Sequence, residues 1–257
     1  MNIFLFDAGH GKNDSGAVGV NGRKEKDDNL KTAKKVRDIL EAAGAKVIMT
    51  REKDTYPTLA QRVKLANESG ASAFVSLHRN AYNGSAQGIE CLLSVHASEK
   101  SKILAENIQK RLVKTGGRNR GVKAQAKNVY VLDKTKMPAT TVELLFVDNK
   151  GDNELFDKNL NAYANDIAKG ILETFGISQN VSKNKQNDAQ TQEATEFFGK
   201  VTASVVNFRK LPSLSGSVIK QLKRGEEVEF TGRKQGDWSR IIVGDTAGWA
   251  FSKYISH

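Results

Sequence analysis

Three short stretches of this sequence contain the residue types best suited to chemistry. They are Phe6-Asp7-Ala8-Gly9-His10-Gly11, Lys24-Glu25-Lys26-Asp27 and Ser76-Leu77-His78-Arg79-Asn80. Each stretch contributes one potential metal ligand, namely His10, Glu25 or His78. Two imidazoles and one carboxylate are the protein ligands of a catalytic zinc site that keeps a fourth position open for water. Ordinary surface histidines are the alternative, and the residue types alone leave both interpretations open.

A fourth stretch, Thr141-Val142-Glu143-Leu144-Leu145, places a carboxylate inside an apolar, strand-like run. Burial disfavours the charged form of a carboxyl group and raises its pKa, which suits a group that must exchange protons during catalysis. The alternative is a structural ion pair that is buried with the strand. We therefore treat Glu143 as a candidate catalytic residue.

The elements that must position these residues alternate between strand and helix in the first two-thirds of the chain. Short apolar or β-branched runs predict strands at Asn2–Phe6, Lys46–Thr50, Ser72–Leu77, Ile89–Val95, Val129–Leu132 and Thr140–Val147. Apolar residues at helical spacing predict helices at Asp28–Ala43, Leu59–Asn67, Ser98–Lys114 and Asn153–Phe175. This order predicts an α/β fold with a mostly parallel twisted sheet that is flanked by helices.

The two candidate histidines fall where such a sheet binds its ligands. His10 follows the first predicted strand and His78 follows the third, while Glu25 lies at the start of the first helix. Open α/β sheets bind ligands outside the carboxyl ends of their strands. The sequence therefore predicts that any site lies at this edge of the sheet.

The last quarter of the chain differs from the rest. Residues 177–195 are rich in Asn, Gln, Ser and Lys and contain no aromatic residue, which predicts a flexible linker. Beyond it, short strand-like runs alternate with turn signals at even spacing, as is typical of a small all-β barrel. The predicted organisation is an α/β domain over 1–176, a linker over 177–195 and a barrel over 196–257.

The composition restricts the partners and the compartment. A formal net charge of +11 favours an anionic partner, although a solubilising surface with no partner explains the charge equally well. The single cysteine, Cys91, excludes an intramolecular disulfide, and its apolar surroundings predict a buried, inert thiol. No apolar run is long enough to insert into a membrane. The apolar start at Met1 lacks a basic n-region, so we expect synthesis in the cytoplasm without a signal peptide.

The ordered set of motifs resembles the zinc-dependent N-acetylmuramoyl-L-alanine amidases of the Amidase_3 type. The resemblance covers residues 2 to about 175. Besides the stretches around His10, Glu25 and His78, it rests on Ser15-Gly16-Ala17, Thr50-Arg51, Ala66-Asn67, Gly88-Ile89-Glu90, Asn119-Arg120-Gly121-Val122-Lys123 and Met137-Pro138-Ala139-Thr140-Thr141-Val142-Glu143-Leu144-Leu145-Phe146. It implies cleavage of the amide that joins the muramoyl lactyl group to the first L-alanine of peptidoglycan.

The resemblance also implies roles for the four candidate residues. Matched by motif, His10, Glu25 and His78 hold one catalytic Zn2+, and Glu143 is the catalytic carboxylate. The chemistry agrees, because zinc lowers the pKa of a bound water to about 7 and polarises a carbonyl. A carboxylate beside it can take the proton of the water and later deliver it to the leaving amine.

Four further positions match the family less specifically. Asn80 and Arg62 are expected to contact the substrate or to order the loop around His78. Asp7 is expected to hold a ligand imidazole from behind, and Glu90 is expected to give similar support. Local scaffolding is the alternative for all four. The chain departs from the family pattern at Lys12-Asn13-Asp14-Ser15, which changes the loop between two ligands but no ligand.

The C-terminal segment resembles the bacterial Src-homology-3-like domains that bind cell wall. The resemblance rests on Gly199-Lys200-Val201-Thr202-Ala203, Val206-Asn207-Phe208-Arg209, Val218-Ile219, Leu222-Lys223-Arg224-Gly225-Glu226, Gly248-Trp249 and Ser252-Lys253-Tyr254-Ile255. It makes Trp238, Trp249 and Tyr254 candidate wall-binding aromatics. In so small a domain, core or rim positions are the alternative for these three side chains.

Other chemistries fit the sequence less well. A non-haem iron oxygenase usually carries His-x-Asp/Glu, whereas His10 is followed by Gly11-Lys12. A cysteine peptidase needs a histidine paired with Cys91, and the Gly9–Asn13 stretch fits neither a dinucleotide-binding nor a Walker motif. A non-catalytic basic protein that binds wall polymer or nucleic acid is the remaining alternative. Its basic residues would cluster with base-stacking aromatics, but here they are dispersed, so no nucleic acid is expected.

We therefore predict a monomeric zinc amidase that acts on bacterial peptidoglycan. The basic surface would favour the anionic polymers of a cell wall. The protein is expected to reach the wall after release from the cytoplasm, in the manner of a phage endolysin or of a lytic amidase of sporulation.

Overall fold

The computed structural model describes residues 2–125, 129–177, 198–244 and 246–256 of the chain. The chain divides into two compact units, Met1–Val181 and Ser182–His257. The linker predicted over 177–195 lies, apart from Ile177, outside the described residues. Its boundaries, and with them the predicted domain limits, stay predictions.

The first unit is built on a six-stranded sheet. Its strands are β1 Ile3–Ala8, β2 Lys46–Met49, β3 Ala73–Asn80, β4 Ile89–Ser94, β5 Asn119–Gln125 and β6 Ala139–Phe146. Their order across the sheet is β2-β1-β3-β6-β4-β5. Neighbouring strands are parallel except β4 and β6, which are antiparallel. The predicted mostly parallel sheet is therefore confirmed.

Helices cover both faces of this sheet. They are α1 Glu25–Ala42, α2 Leu59–Glu68, α3 Glu99–Thr115, α4 Tyr130–Lys134 and α5 Lys150–Thr174. Because side chains alternate along a strand, Phe4 and Phe6 of β1 pack with α1, α3 and α5, whereas Leu5 packs with α2 and α4 on the other face. Ser98 caps α3 as predicted. Within the described residues, no helix combines the length and apolar character that a bilayer crossing requires.

Three elements differ from the sequence-based expectation. The predicted strand at Val129–Leu132 is wrong, because Tyr130–Lys134 is a short helix that packs Leu132 against the sheet. The polar run Asn119–Gln125 was not expected to be a strand, yet it forms the edge strand β5. Finally, β3 runs through Asn80, so that His78 lies within the strand instead of following it.

The register of the central strands aligns three candidate residues. His78 on β3 lies opposite Glu143 on β6, and Glu143 lies opposite Glu90 on β4. Just beyond this row, the register of β3 and β6 shifts between His78 and Asn80. Leu145 sits at this irregularity with a φ of 65°, a left-handed conformation that costs a non-glycine residue about 1–3 kcal/mol. Bulges of this kind are frequent beside active sites, where they re-aim side chains.

The second unit is an antiparallel sheet. Its strands are β7 Phe198–Val201, β8 Val205–Arg209, β9 Val218–Lys223, β10 Glu227–Gln235, β11 Trp238–Val243, β12 Thr246–Phe251 and β13 Ile255–Ser256. They follow the order β13-β7-β10-β11-β12-β8-β9. Phe208, Leu222 and Ile241 are fully buried in its small apolar core. The prediction of a second, all-β part of the chain is confirmed.

Candidate active site

His10, Glu25 and His78 converge at one edge of the first unit's sheet. Oε1 of Glu25 lies 3.2 Å from Nε2 of His10 and 2.8 Å from Nδ1 of His78. The two imidazole rings are nearly perpendicular, with centroids 4.9 Å apart. One potential ligand atom from each residue falls within a cluster 4.8 Å across, so the three side chains could hold a metal ion.

The local sequence around each ligand explains this convergence. Glu25 is the first residue of α1, where the exposed N–H groups of a helix favour a negative charge. Its other oxygen, Oε2, accepts a hydrogen bond from the backbone N–H of Ala17 at 2.9 Å. Gly9 and Gly16 leave room for the rings: a Cβ on Gly9 would lie 2.2 Å from Cε1 of His78, and one on Gly16 would lie 2.6 Å from Cδ2 of His10.

Without a metal, the charge of Glu25 favours the protonated forms of the two imidazoles. Burial alone would lower the pKa of His78, but the hydrogen bond and charge of Glu25 outweigh it and raise that pKa to about 9. The pKa of His10 is raised against burial in the same way. Burial opposes the charged form of Glu25, yet the two histidines hold its pKa well below the ordinary value. A metal ion at this site would therefore displace protons, since metal-bound histidines must be neutral.

Glu143 lies beside this cluster, and its pKa is shifted in the opposite direction from that of Glu25. It lines the same cleft as His10 and His78. Burial raises its pKa to about 7, against the nearby charge of His78. A carboxyl group with such a pKa exchanges protons readily near neutral pH.

The cleft itself has a volume of about 480 Å3. Beside the histidines and Glu143, it is lined by the rings of Tyr56 and Tyr130, which are about half exposed. Sequence reasoning missed both tyrosines, because Tyr56 is an isolated aromatic in a polar segment and Tyr130 belongs to a short apolar run that predicted only a strand. Their rings offer flat apolar surface next to the ligand cluster.

Asp14 is a further site residue that the sequence did not reveal. Its Oδ2 lies 2.9 Å from Nδ1 of His10, on the side of the ring that faces away from Glu25. Its Oδ1 accepts a hydrogen bond from the backbone N–H of Gly16 at 3.0 Å. A carboxylate in this position orients a ligand imidazole and sets its tautomer. The four-residue spacing from His10 was the available signal.

Replacement of Asp14 by asparagine is expected to weaken metal binding about 10- to 100-fold, because the amide keeps the size of the side chain and removes the charge that orients His10. A chelator-competition titration measures the affinity. Glu52→Gln is the matched control, since Glu52 is an exposed carboxylate that pairs with Arg37 away from the cluster. Equal affinities for the two variants would contradict the orienting role.

Arg62 and Asp7 form a buried pair that supports the His10 loop. The guanidinium of Arg62 is 2% exposed and donates to the carboxylate of Asp7 and to the carbonyls of Pro57, Ala8 and His10. The structure thus favours loop ordering over the expected substrate contact. Asp7 accepts from Arg62, Thr50 and Ser76. The expected direct support of an imidazole by Asp7 is corrected accordingly: it reaches His10 through Arg62.

The pKa of Asp7 shows how strongly this pair is held. Burial would raise that pKa, but the charge and hydrogen bond of Arg62 outweigh burial and keep it below the ordinary value. The ion pair is therefore present throughout the neutral range.

Arg79 is a second buried arginine that sequence reasoning missed. Its guanidinium donates to Asp28 at 2.6 Å and to Asn153 at 2.8 Å, and it lies 4.2 Å from the ring centroid of Phe156. Its backbone N–H donates to Oε1 of Glu25 at 3.2 Å. Arg79 thereby ties β3, α1 and α5 together directly beneath the ligand cluster.

Asn80 and Glu90 form a hydrogen-bonded pair in the cleft. Nδ2 of Asn80 donates to Oε1 of Glu90 at 2.9 Å, and both residues line the cleft. Oε2 of Glu90 accepts from Arg120 at 2.8 Å and from Lys123 at 2.5 Å. None of these contacts is with a ligand imidazole. Glu90 therefore holds Asn80 and β5 in place, and the expectation that it supports an imidazole is corrected.

In the second unit, two of the three candidate aromatics are not at the surface. Trp238 and Trp249 are 9% and 6% exposed, which favours the alternative of core positions for these two side chains. Tyr254 is 37% exposed. It lies beside Phe251, with Nζ of Lys253 4.8 Å from its ring centroid.

Comparison with known families assigns both units. Residues 4–173 match the family described as N-acetylmuramoyl-L-alanine amidase. Residues 204–256 match the family described as bacterial SH3 domain. The two matches agree with the α/β sheet and the antiparallel sheet respectively.

Two curated relatives each match more than half of the chain. The endolysin of Bacillus phage SPP1 is 39% identical over 211 residues, which are 79% of this chain and 76% of the relative. The N-acetylmuramoyl-L-alanine amidase LytC of Bacillus subtilis is 42% identical over 153 residues, which are 58% of this chain and 30% of LytC.

Solved structures share the fold of the first unit. An N-acetylmuramoyl-L-alanine amidase from Clostridium difficile 630 has a TM-score of 0.65 at 34% identity and covers 68% of this chain and 97% of that one. The catalytic domain of CwlV from Bacillus (Paenibacillus) polymyxa var. colistinus also has a TM-score of 0.65, at 36% identity, with 69% and 100% covered. The family match, the relatives and the shared fold show that the chain belongs to the N-acetylmuramoyl-L-alanine amidase family.

Proposed function

We propose that this chain hydrolyses the amide between N-acetylmuramic acid and L-alanine in bacterial peptidoglycan, with one zinc ion held by His10, Glu25 and His78. The family match and the endolysin and amidase relatives support the reaction. The observation that carries the residue roles is the register of β3 and β6, which sets Glu143 directly beside His78.

The donor set fits zinc. Two imidazole nitrogens and one carboxylate oxygen are ligands that zinc accepts at about 2.0–2.2 Å, and three protein ligands are typical of its catalytic sites. Glu25 is ionised at neutral pH, as a ligand must be. Asp14 accepts from the remaining ring nitrogen of His10, as is common for zinc-bound histidines. When bound, zinc supplies the Lewis acidity that activates a water and polarises the amide carbonyl.

Glu143 moves the proton in this reaction. Its carboxylate accepts a proton from the attacking water while the water oxygen bonds to the lactyl carbonyl carbon. The same carboxyl group then donates that proton to the alanine nitrogen as the C–N bond breaks. The products are a lactyl carboxylate on the sugar and a free L-alanine amino group on the peptide.

The second unit would hold the enzyme on its polymeric substrate. Its match to a bacterial SH3 domain supports binding to cell wall, and we propose that the exposed ring of Tyr254 contributes. The net charge of +11 would add attraction to anionic wall polymers. The similarity to a phage endolysin supports action on the wall after release from the cytoplasm.

Digestion of purified peptidoglycan tests the proposed reaction. We expect free L-alanine amino termini to appear, as measured by amino-group labelling and hydrolysis, without new reducing sugars. Zinc chelation should stop their release, and added zinc should restore it. New reducing sugars without new alanine amino termini would show a glycosidase instead.

A further inference from the structure

A second cavity adjoins the catalytic cleft. It has a volume of about 420 Å3 and lies between the segment 81–87 and the start of β5, where it is lined by Arg118 and Arg120. Asn80 and Glu90 line both this cavity and the cleft, so the two are direct neighbours. The proposed catalytic steps make no use of it.

The residues that line this second cavity carry more positive than negative charge. Among the described residues that line it, Glu90 is the single acid. Its Oε2 already accepts from both Arg120 and Lys123. Arg118 is exposed and forms no hydrogen bond or ion pair with any described side chain. The two lining arginines and Glu90 give the lining a net charge of +1, and the guanidinium of Arg118 is available to bind a ligand.

Two contacts hold the side chain of Arg120 in place. Its Nε donates to Glu90, and its guanidinium lies 4.9 Å from the ring centroid of Phe146. The rest of the guanidinium edge remains for another acceptor, because a guanidinium carries five N–H donors. Two neighbouring arginines are well suited to a planar carboxylate.

The sheet also sets the distance between this cavity and the reaction. Glu143 lies opposite Glu90, and Glu90 lies opposite Gly121, the neighbour of Arg120. Two strand spacings make about 10 Å. An extended peptide covers about 3.3–3.6 Å per residue. The backbones of β5 and β6 are therefore separated by about the length of three extended residues at this level of the sheet.

We infer that Arg118 and Arg120 form a subsite for a free carboxylate on the peptide side of the substrate, within three residues of the bond that is cut. This inference rests on the proposed amidase function and adds a substrate preference to it. Stem peptides whose carboxyl group is free would be cleaved better than those in which it is amidated. Each lost charge-assisted hydrogen bond should reduce this preference about tenfold.

Two synthetic muramoyl tripeptides, both with an amidated C-terminus so that only one carboxyl group differs, test the inference. Their second residue is a γ-linked glutamate whose α-carboxyl is either free or converted to the amide. We expect the full-length wild-type protein to show a kcat/KM about tenfold or more higher for the free acid, mainly through a lower KM. Arg118→Ala should largely abolish this ratio, whereas Arg118→Lys should retain part of it. Lys110→Ala, which removes an exposed charge from α3, should keep the wild-type ratio.

The outcomes separate this inference from the proposed function. If the wild-type protein cleaves both peptides equally well, the amidase function stands and the subsite is refuted. An Arg118→Ala variant that loses activity on both peptides by the same factor also refutes it, because that is the pattern of a structural role. If neither peptide nor purified peptidoglycan is cleaved, the proposed function fails and the subsite with it.

Discussion

Substitution of Glu143 by glutamine is expected to lower kcat for amide hydrolysis by about 10²- to 10⁴-fold, the range typical of a lost general acid–base group. Glutamine keeps the shape of the side chain but can neither accept the proton of water nor deliver it to the leaving amine. Zinc content, measured by atomic emission, should stay at one ion per chain because Glu143 is not in the ligand cluster. A variant that keeps both its zinc and full activity would refute the role of base.

The same substitution has an expected effect on stability that depends on pH. Burial raises the pKa of Glu143 to about 7 in the metal-free protein, whereas the ordinary value is 4.5. Between these values the folded state holds a proton that the unfolded state has lost, so the wild-type protein loses stability as pH rises through this window. Glu143→Gln lacks this loss. Its advantage in urea unfolding of the zinc-free protein should therefore grow from pH 5 to pH 8, to about 1–3 kcal/mol.

Replacement of Gly9 by alanine is expected to empty the metal site and to abolish hydrolysis as completely as His78→Ala. A Cβ on Gly9 would lie 2.2 Å from Cε1 and 2.3 Å from Nε2 of His78, distances that no pair of non-bonded atoms sustains. Gly9 also donates its N–H to the carbonyl of Leu77 at 3.1 Å, so its backbone cannot easily move away. The ring of His78 must turn instead, and the cluster loses one ligand.

Gly151→Ala provides the control for that prediction. A Cβ at Gly151 would lie 3.5 Å from Oδ1 of Asn149, an ordinary contact. This variant should bind one zinc ion and remain active. If Gly9→Ala also binds zinc with unchanged affinity in equilibrium dialysis, the close packing of His78 on the loop does not control the site.

Most of the first unit's fold follows from local apolar patterns. The buried strand β1 begins with the continuous apolar run Ile3-Phe4-Leu5-Phe6, and α3 shows both its apolar stripe and its N-cap at Ser98. β5 escaped prediction because Asn119–Gln125 is an edge strand with mostly half-exposed or exposed residues, so no apolar signal marks it. The segment at Val129–Leu132 was misassigned since a short apolar run fits a strand and a helix turn equally well.

The candidate ligands were predictable for a different reason from their supports. His10 and His78 are of a rare residue type and lie close to the carboxyl ends of apolar strand runs, and their motifs match a known family in order. The contacts of Asp14, Arg62 and Arg79 depend on loop conformation and on residues far apart in the chain, such as the 74-residue separation of Arg79 and Asn153. No local pattern in a single sequence encodes such a pairing.

The antiparallel placement of β4 beside β6 gives this edge of the sheet two kinds of strand terminus. The carboxyl ends of β1, β3 and β6 meet the amino ends of β4 and β5 there. Glu90 and Arg120 are each the second residue of their strands, whereas His78 and Glu143 belong to strands that end at this edge, His10 follows such a strand and Glu25 begins α1. Changes in the segments that enter β4 and β5 would therefore alter the proposed peptide subsite while the strands that carry His78 and Glu143 keep their register.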